Sequence, residues 1–201
     1  MLRVHQIVNG FQHSCTYILY EDCCKHAWLV DCGSALDKVE DWFKTNNKEL
    51  AGVFLTHSHD DHICGLRHLL ISRPDIPIYL SSNEGIKCVQ DVRLNLSKYT
   101  SDPFRLFSKH FVELRDGEIV KLFPNIELTA IHADGHSPDS IIYKVGDWLF
   151  TGDAYIPPLP VVTKLPGADN KRAAESLEMI KQIVENGNLI IQAGHSIDNV
   201  I

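Results

Sequence analysis

The stretch Thr56–Gly65, THSHDDHICG, puts three histidines and two aspartates into the six positions 57–62. Such a run is costly to hold together unless something binds it, since ionisable groups resist burial without partners. The run before it, GVFLT (52–56), is compact and apolar, the mark of a buried strand that delivers the chain straight into His57. In extended backbone, residues two apart point to the same side, so His57 and His59 can grip one metal ion. The chain then turns, and a short helix is expected near His62, followed by the apolar positions Leu66, Leu69 and Leu70. Asp61 and His62 would thereby aim at a second, neighbouring position. Asp60 reads as a solvated turn residue.

Three further candidate ligands lie far along the chain: His136 in ADGHSPDS, Asp153 in FTGDA and His195 in QAGHS. Each follows an apolar strand-like run and is preceded by glycine, which permits a sharp turn and a close backbone approach. Several strand ends converging on one rim is how a sheet protein builds a site.

The rest of the chain alternates strands and helices. LRVHQIV (2–8), CTYILY (15–20), HAWLVD (26–31) and IPIYL (76–80) read as strands, as do IELTAIH (126–132), SIIYKVG (140–146) and DWLFTG (147–152). The turn VGDW (145–148) predicts a hairpin. Ser34 is expected to cap a helix carrying Leu36, Val39 and Phe43. A second helix carries Ala173, Leu177, Ile180 and Val184 and ends near Gly187. Residues 82–111 suggest a helix and a long excursion over the site, IPPLPVV (156–162) an irregular loop, and NLIIQAG (188–194) a closing buried strand. No repeat or linker interrupts the pattern, so residues 1–201 are expected to form one domain.

Composition narrows the function. Of 201 residues, 44% are apolar and 22% charged, and the formal charge is −7. A nucleic-acid polymer is therefore not an expected partner, for want of a basic footprint. No apolar run approaches the ~20 residues of a membrane span, and the N-terminus lacks a signal-peptide core, so the expected location is the cytoplasm. Cys15, Cys23, Cys24, Cys32, Cys64 and Cys88 contain no C-x-x-C pair and read as reduced, mostly buried thiols.

In these motifs the sequence resembles the metallo-β-lactamase-fold hydrolases over nearly its whole length. THSHDDH is similar to the central motif, DGHSPDS to the later histidine turn, TGD to the bridging aspartate, GH to the last histidine and LVDCG to the N-terminal Asp-x-Gly element. The resemblance implies an α/β fold, an αββα four-layer sandwich. It assigns His57, His59 and His136 to one metal, and Asp61, His62 and His195 to the other, with Asp153 bridging. It also implies a metal-bridging hydroxide as nucleophile, with Asp61 and Asp153 as the catalytic carboxylates. Two points differ from family patterns. Cys64 stands where a glycine is usual, and Asp153 where some lactamases have cysteine. The glyoxalase II branch is the nearer match, but glyoxalase II carries a further glutathione-binding helical domain. Here six residues follow His195, so S-lactoylglutathione is expected to be a poor substrate and support for His195 to come from the preceding strand and from a neighbour, a second subunit being one candidate.

The expected activity is dinuclear hydrolysis of a small thioester, ester, lactone or amide, with an anionic small molecule well suited to the cationic centre. All-nitrogen-and-oxygen ligation suits two zinc ions, with manganese or iron as substitutes. The alternatives are a phosphodiesterase on a small nucleotide-type substrate and an iron-dependent redox enzyme of the persulfide dioxygenase kind. Asp31 is expected to bond backbone beside the site, Tyr155 and Cys64 to pack, and His5, His13, His26, His68, His110 and His132 to be structural or surface residues. Substrate choice is expected to reside in residues 97–111 and 155–168, with YIPPLPVV (155–162) lining either a substrate mouth or a dimer contact, and homo-oligomerisation is left open.

Overall fold

The computed structural model describes residues 1–197. Two sheets face each other. The first has the order β1 (Arg3–Val8), β2 (Cys15–Tyr20), β3 (His26–Val30), β4 (Glu49–Phe54), β5 (Ile78–Ser81), β6 (Phe111–Leu114). Its first two pairings are antiparallel and the remaining three parallel. The second runs β11 (Ile190–Ala193), β10 (Trp148–Gly152), β9 (Ile141–Val145), β8 (Ile126–His132), β7 (Ile119–Phe123), antiparallel except for β10 with β11. Helices α1 (Leu36–Thr45), α2 (Asp60–Ile63), α3 (Leu66–Ser72) and α4 (Gly85–Gln90) accompany the first sheet, and α5 (Asn170–Gly187) covers the second.

Strand periodicity sorts the side chains into three apolar layers. In β2, Tyr17 and Leu19 enter the layer between the sheets, while Ile18 turns to the helix side with Val39 and Phe43 of α1. Val30 and Phe54 continue the inner layer from β3 and β4, and Leu29 and Val53 the outer. In the second sheet Tyr143 and Phe150 face inward, whereas Ile142 and Leu149 meet Ile180 of α5. Helix, sheet, sheet and helix are thus stacked as four layers, the αββα sandwich expected. The VGDW hairpin forms, with Val145 opposite Trp148.

Some local expectations fail for identifiable reasons. Ser34 does not cap α1, because its hydroxyl accepts from the Phe11 amide; the N-cap is Ala35, whose own amide donates to Asn9 Oδ1 at 2.9 Å. The 82–111 segment supplies α4 and a 3-10 turn, Ser97–Tyr99, then folds back on itself through Ser97 Oγ and Asn95 Nδ2, both donating to the Phe104 carbonyl. Strands β6 and β7 are outer strands with half or more of their residues in contact with water, so their apolar alternation is too weak to read.

Several hydrogen bonds join the two sheets at the site end, one of them from a buried tyrosine. Tyr143 Oη of β9 donates to the Leu55 carbonyl, just beyond β4, at 2.6 Å and in full burial. Tyr143→Phe removes that donor from a buried acceptor and is expected to cost about 1–3 kcal/mol of unfolding free energy with an unchanged denaturant slope, as measured by urea titration.

Candidate metal centre

The seven candidate ligands arrive from both sheets. His57, His59, Asp61 and His62 follow β4 across its C-terminal end into α2. His136 sits in the loop from β8 to β9, Asp153 directly after β10, and His195 after β11. Offered ligand atoms of His57, His59 and His136 lie within 4.8 Å of one another, as do those of Asp61, His62 and His195. Asp153 joins the groups: its carboxylate oxygens are 3.4 Å from His62 Nε2, 3.2 Å from His195 Nε2 and 3.6 Å from His136 Nε2. His57 Nε2, Asp61 Oδ2 and Asp153 Oδ1 are buried with no hydrogen-bond partner. Each such atom costs about 1–3 kcal/mol, and several pointing at one place fit a cation that would satisfy them together.

The imidazoles are held by their other nitrogen. His62 Nδ1 donates to Asp31 Oδ2 at 2.8 Å, His136 Nδ1 to the Val162 carbonyl at 2.9 Å and His195 Nδ1 to the Gln12 carbonyl at 2.9 Å. A carboxylate or carbonyl can only accept, so in each ring Nδ1 carries the hydrogen and Nε2 is left to face the centre. His57 Nδ1 is 3.1 Å from Thr56 Oγ1, whose own hydrogen goes to Asp31 Oδ2. The same logic leaves His57 Nε2 free.

Glycines let the ligand turns close. A Cβ on Gly194 would stand 2.0 Å from Asp153 Oδ1, and one on Gly135, at φ +134°, 2.1 Å from the Ala173 amide. Gly194 also bonds through its amide to the Gly152 carbonyl and through its carbonyl to the Cys15 amide. The neighbour that supports His195 is therefore the β1–β2 loop of the same chain, which adds the Gln12 contact and a bond from the Ser196 amide to the His13 carbonyl. Of SIDNVI (196–201), residues 198–201 lie outside the described residues.

Burial divides the titration of the cluster. His57 and His59 are held well below the ordinary imidazole range by burial first and then by neighbouring imidazoles, and burial also lowers His136. These three are neutral with lone pairs available. Burial opposes charge on His62 as well, yet the carboxylates of Asp61, Asp153 and Asp31 outweigh it and hold His62 well above its usual value. His195 is raised chiefly by Asp153, against its own burial, and Asp61 is raised by burial.

Asp60 is buried at the start of α2 rather than solvated, and burial lifts its carboxyl to about 6. Asp31 bonds backbone and side chain beside the cluster, accepting from the Thr56 amide at 2.8 Å. Tyr155 packs against the apolar cluster between the second sheet and α5, and Cys64, half-buried, packs against the helix-side core. His132 donates or accepts within the sheets, at Leu114 and Ser81, and His5 stacks on Trp42. His13, expected to be a structural or surface residue, is exposed and lines the cavity above the cluster. From the two segments expected to set specificity, 155–168 lines that cavity and 97–111 does not. Gln12 and Val162 act through carbonyls, which every residue carries, so no sequence signal could have singled them out.

The family model of the metallo-beta-lactamase superfamily matches residues 8–195. The chain belongs to that superfamily. It is 28% identical over 146 residues to the hydroxyacylglutathione hydrolase of Pseudoalteromonas translucida, covering 73% of this chain and 48% of that protein. With the probable metallo-hydrolase YqgX of Bacillus subtilis it shares 30% identity over 154 residues, 73% of this chain and 67% of the relative. The chain spans about half the length of the hydroxyacylglutathione hydrolases it matches. Among solved structures, the BLEG-1 B3 metallo-beta-lactamase superposes with a TM-score of 0.83 at 26% identity, covering 96% of this chain and 92% of that one. ETHE1 from Myxococcus xanthus superposes at 0.75 with 22% identity, over 99% of this chain and 77% of that one, a likeness of fold. The resemblance read from the motifs is thereby established for the family as a whole.

Two expected outcomes test this geometry. Gly194→Ala should displace Asp153, lowering the thermal midpoint and weakening cobalt(II) uptake about tenfold or more, while Gly10→Ala, whose Cβ meets nothing within 4 Å, changes neither. The second concerns Asp139, buried in the same β8–β9 loop as His136, with Ser137 Oγ donating to it at 2.8 Å and its carboxyl pushed up by burial to about 7. The folded state holds this proton more tightly than the unfolded chain, so its contribution is complete below about pH 4 and is lost as pH rises to about 7. Asp139→Asn should cancel that loss, shifting stability relative to wild type in its favour by up to about 1.4 kcal/mol per pH unit across the window, as read by urea titrations at about pH 5 and about pH 7.

Proposed function

We propose that this chain is a hydrolase of small thioesters, esters, lactones or amides that works with two divalent metal ions, zinc above all. The observation that carries the reading is the pair of three-residue clusters with Asp153 within reach of both. His57, His59 and His136 would hold one ion, Asp61, His62 and His195 the other, and Asp153 both. Two cations so held supply a nucleophile at neutral pH, by lowering the pKa of water towards ~7, and Lewis-acid polarisation of a carbonyl oxygen.

The chain's own groups do the rest. Asp61, fixed by helix α2 at the rim of the centre, would orient the attacking water. Asp31 accepts the hydrogen bond from His62 Nδ1 and keeps that ring from turning. The 155–168 segment, pinned by its Val162 carbonyl to His136, shields one side of the centre from bulk water. Relatives described as hydroxyacylglutathione hydrolase, probable metallo-hydrolase and, in Bacillus velezensis, probable polyketide biosynthesis zinc-dependent hydrolase support the same chemistry.

The test is elemental analysis of the purified protein together with turnover of a panel of thioesters, lactones and phosphodiesters. The expected result is two zinc ions per chain and hydrolysis at a carbonyl. One ion per chain, or iron with a redox signal, would favour the redox alternative. Asp153→Ala should empty both positions, whereas His195→Ala should chiefly empty one; unchanged metal content in Asp153→Ala sinks the assignment. Metal binding should also release protons from His62 and His195, both raised in the metal-free protein, so affinity falls as pH is lowered. Calorimetry in buffers of different ionisation enthalpy reads that release.

A further inference from the structure

Above the centre lies a cavity of about 400 Å³. Its floor is the ligand cluster, and its walls are Leu96, Ile156, Leu159, Val162, Leu165 and Ile197. Four of the six come from the 155–168 segment. Three of these aliphatic side chains remain substantially in water: Leu159 is 40% exposed, Val162 52% and Ile197 38%. Single exposed aliphatics need no explanation, but three around the mouth of one cavity form an apolar patch of the kind that marks a binding site. The Val162 carbonyl is tied to His136 Nδ1, which fixes this wall to the centre. Leu96 also lines the cavity, from a left-handed backbone, φ 61°, a conformation that costs a non-glycine residue about 1 kcal/mol or more.

The polar lining is as informative. Outside the ligand cluster, Gln12, His13 and Ser196 supply the polar groups, and among the described residues no lysine or arginine lines the cavity. A carboxylate or phosphate carried on a substrate away from the reacting bond would be desolvated there without a cationic partner. A hydrocarbon chain meets no such cost. Each buried methylene gains about 0.8 kcal/mol, or about fourfold in affinity.

We infer that the cavity takes an uncharged hydrocarbon chain attached beside the scissile carbonyl, making the substrate an apolar acyl thioester, ester or lactone. The inference rests on the hydrolase reading above for the bond that is cleaved, and on the cavity alone for the group that is bound. The chain can belong to the acyl part or to the leaving group, since both radiate from the same carbonyl.

Two measurements on the metal-loaded protein test it. Calorimetry with acetyl, butyryl, hexanoyl and octanoyl hydroxamates, whose head group chelates the ions, reads chain binding without any turnover. The expected result is a Kd that tightens about fourfold per methylene until the cavity is full. Thioester hydrolysis is followed in parallel by thiol release, once with the acyl chain lengthened over ethanethiol and once with the alkanethiol lengthened under acetate. The arm in which kcat/KM climbs identifies the side that enters the cavity. Leu159→Lys and Val162→Lys, both at water-exposed positions that tolerate a charge, should cut the gain from acetyl to octanoyl about tenfold or more. Hydroxamate affinity that stays flat along the series overturns the inference, as does more efficient turnover of S-lactoylglutathione than of the longer alkyl thioesters. Chain-dependent hydroxamate binding with no hydrolysis in either arm would uphold the cavity assignment and overturn the hydrolase reading instead.

Discussion

The Asp31 carboxylate is the contact on which the site depends. It is 1% exposed and accepts three hydrogen bonds: from the Thr56 amide, from Thr56 Oγ1 and from His62 Nδ1, each at 2.8 Å. A buried carboxylate with those acceptor positions unfilled would cost several kcal/mol, so the group specifies where its partners stand. Through it the end of β3 is bonded to the end of β4 and to the first turn of α2. The Asp31 amide adds a bond to the Phe54 carbonyl and Cys32 one to the His62 carbonyl, so the two parallel strands and the ligand helix move as one piece. Asp31 holds this position at φ 59°, a strained conformation that aspartate tolerates better than most residues.

The same device recurs with different acceptors. Asp31 serves His62, a carbonyl of the β1–β2 loop serves His195, and a carbonyl of the 155–168 segment serves His136. Each acceptor sits on an element remote in sequence from its histidine. Ring orientation is therefore a report on tertiary structure. Three loops must close before three imidazoles present the correct nitrogen, which links the packing of the sandwich rim to the chemistry of its centre.

This division explains what the sequence reveals and what it conceals. Residues that act through side chains in tight turns announce themselves: His57 to His62 by crowding, and His136, Asp153 and His195 by the glycine before each, two of which a Cβ would drive into backbone or ligand. The buried strands are legible too, because runs such as CTYILY, GVFLT and DWLFTG are apolar at consecutive positions, although which side chain faces which layer is visible only in the structure. Gln12, Val162 and Leu96 stay hidden because their roles belong to main-chain atoms or to a backbone conformation. Asp60 misleads for a related reason: a charged residue in a turn-like run is solvated by default, and only the docking of α2 against the rim buries it. Ser34 shows the reverse error, a good capping residue whose hydroxyl is claimed by Phe11 from another loop.

The convergence of the two sheets carries a thermodynamic consequence. Strand β2 is joined to the end of β11 by the Cys15 amide on the Gly194 carbonyl and by Tyr17 Oη on the Ala193 carbonyl at 2.6 Å, and Ser14 Oγ reaches the Asp61 carbonyl at 2.8 Å. The candidate ligands that follow β4 and β11 thus come together only when both halves of the sandwich have docked. The centre exists in the folded state and has no counterpart in the unfolded chain, where the same seven side chains are spread over most of the sequence. Any cation held there must stabilise the whole fold by its binding free energy, as RT ln(1 + [L]/Kd). The orphaned nitrogens and oxygens at the centre act in the opposite direction when nothing neutralises them. The strain at Asp31 and the unpaired atoms are thus costs borne by the fold, and a cation bound at the rim would offset them, coupling the integrity of the sandwich to the occupancy of its rim.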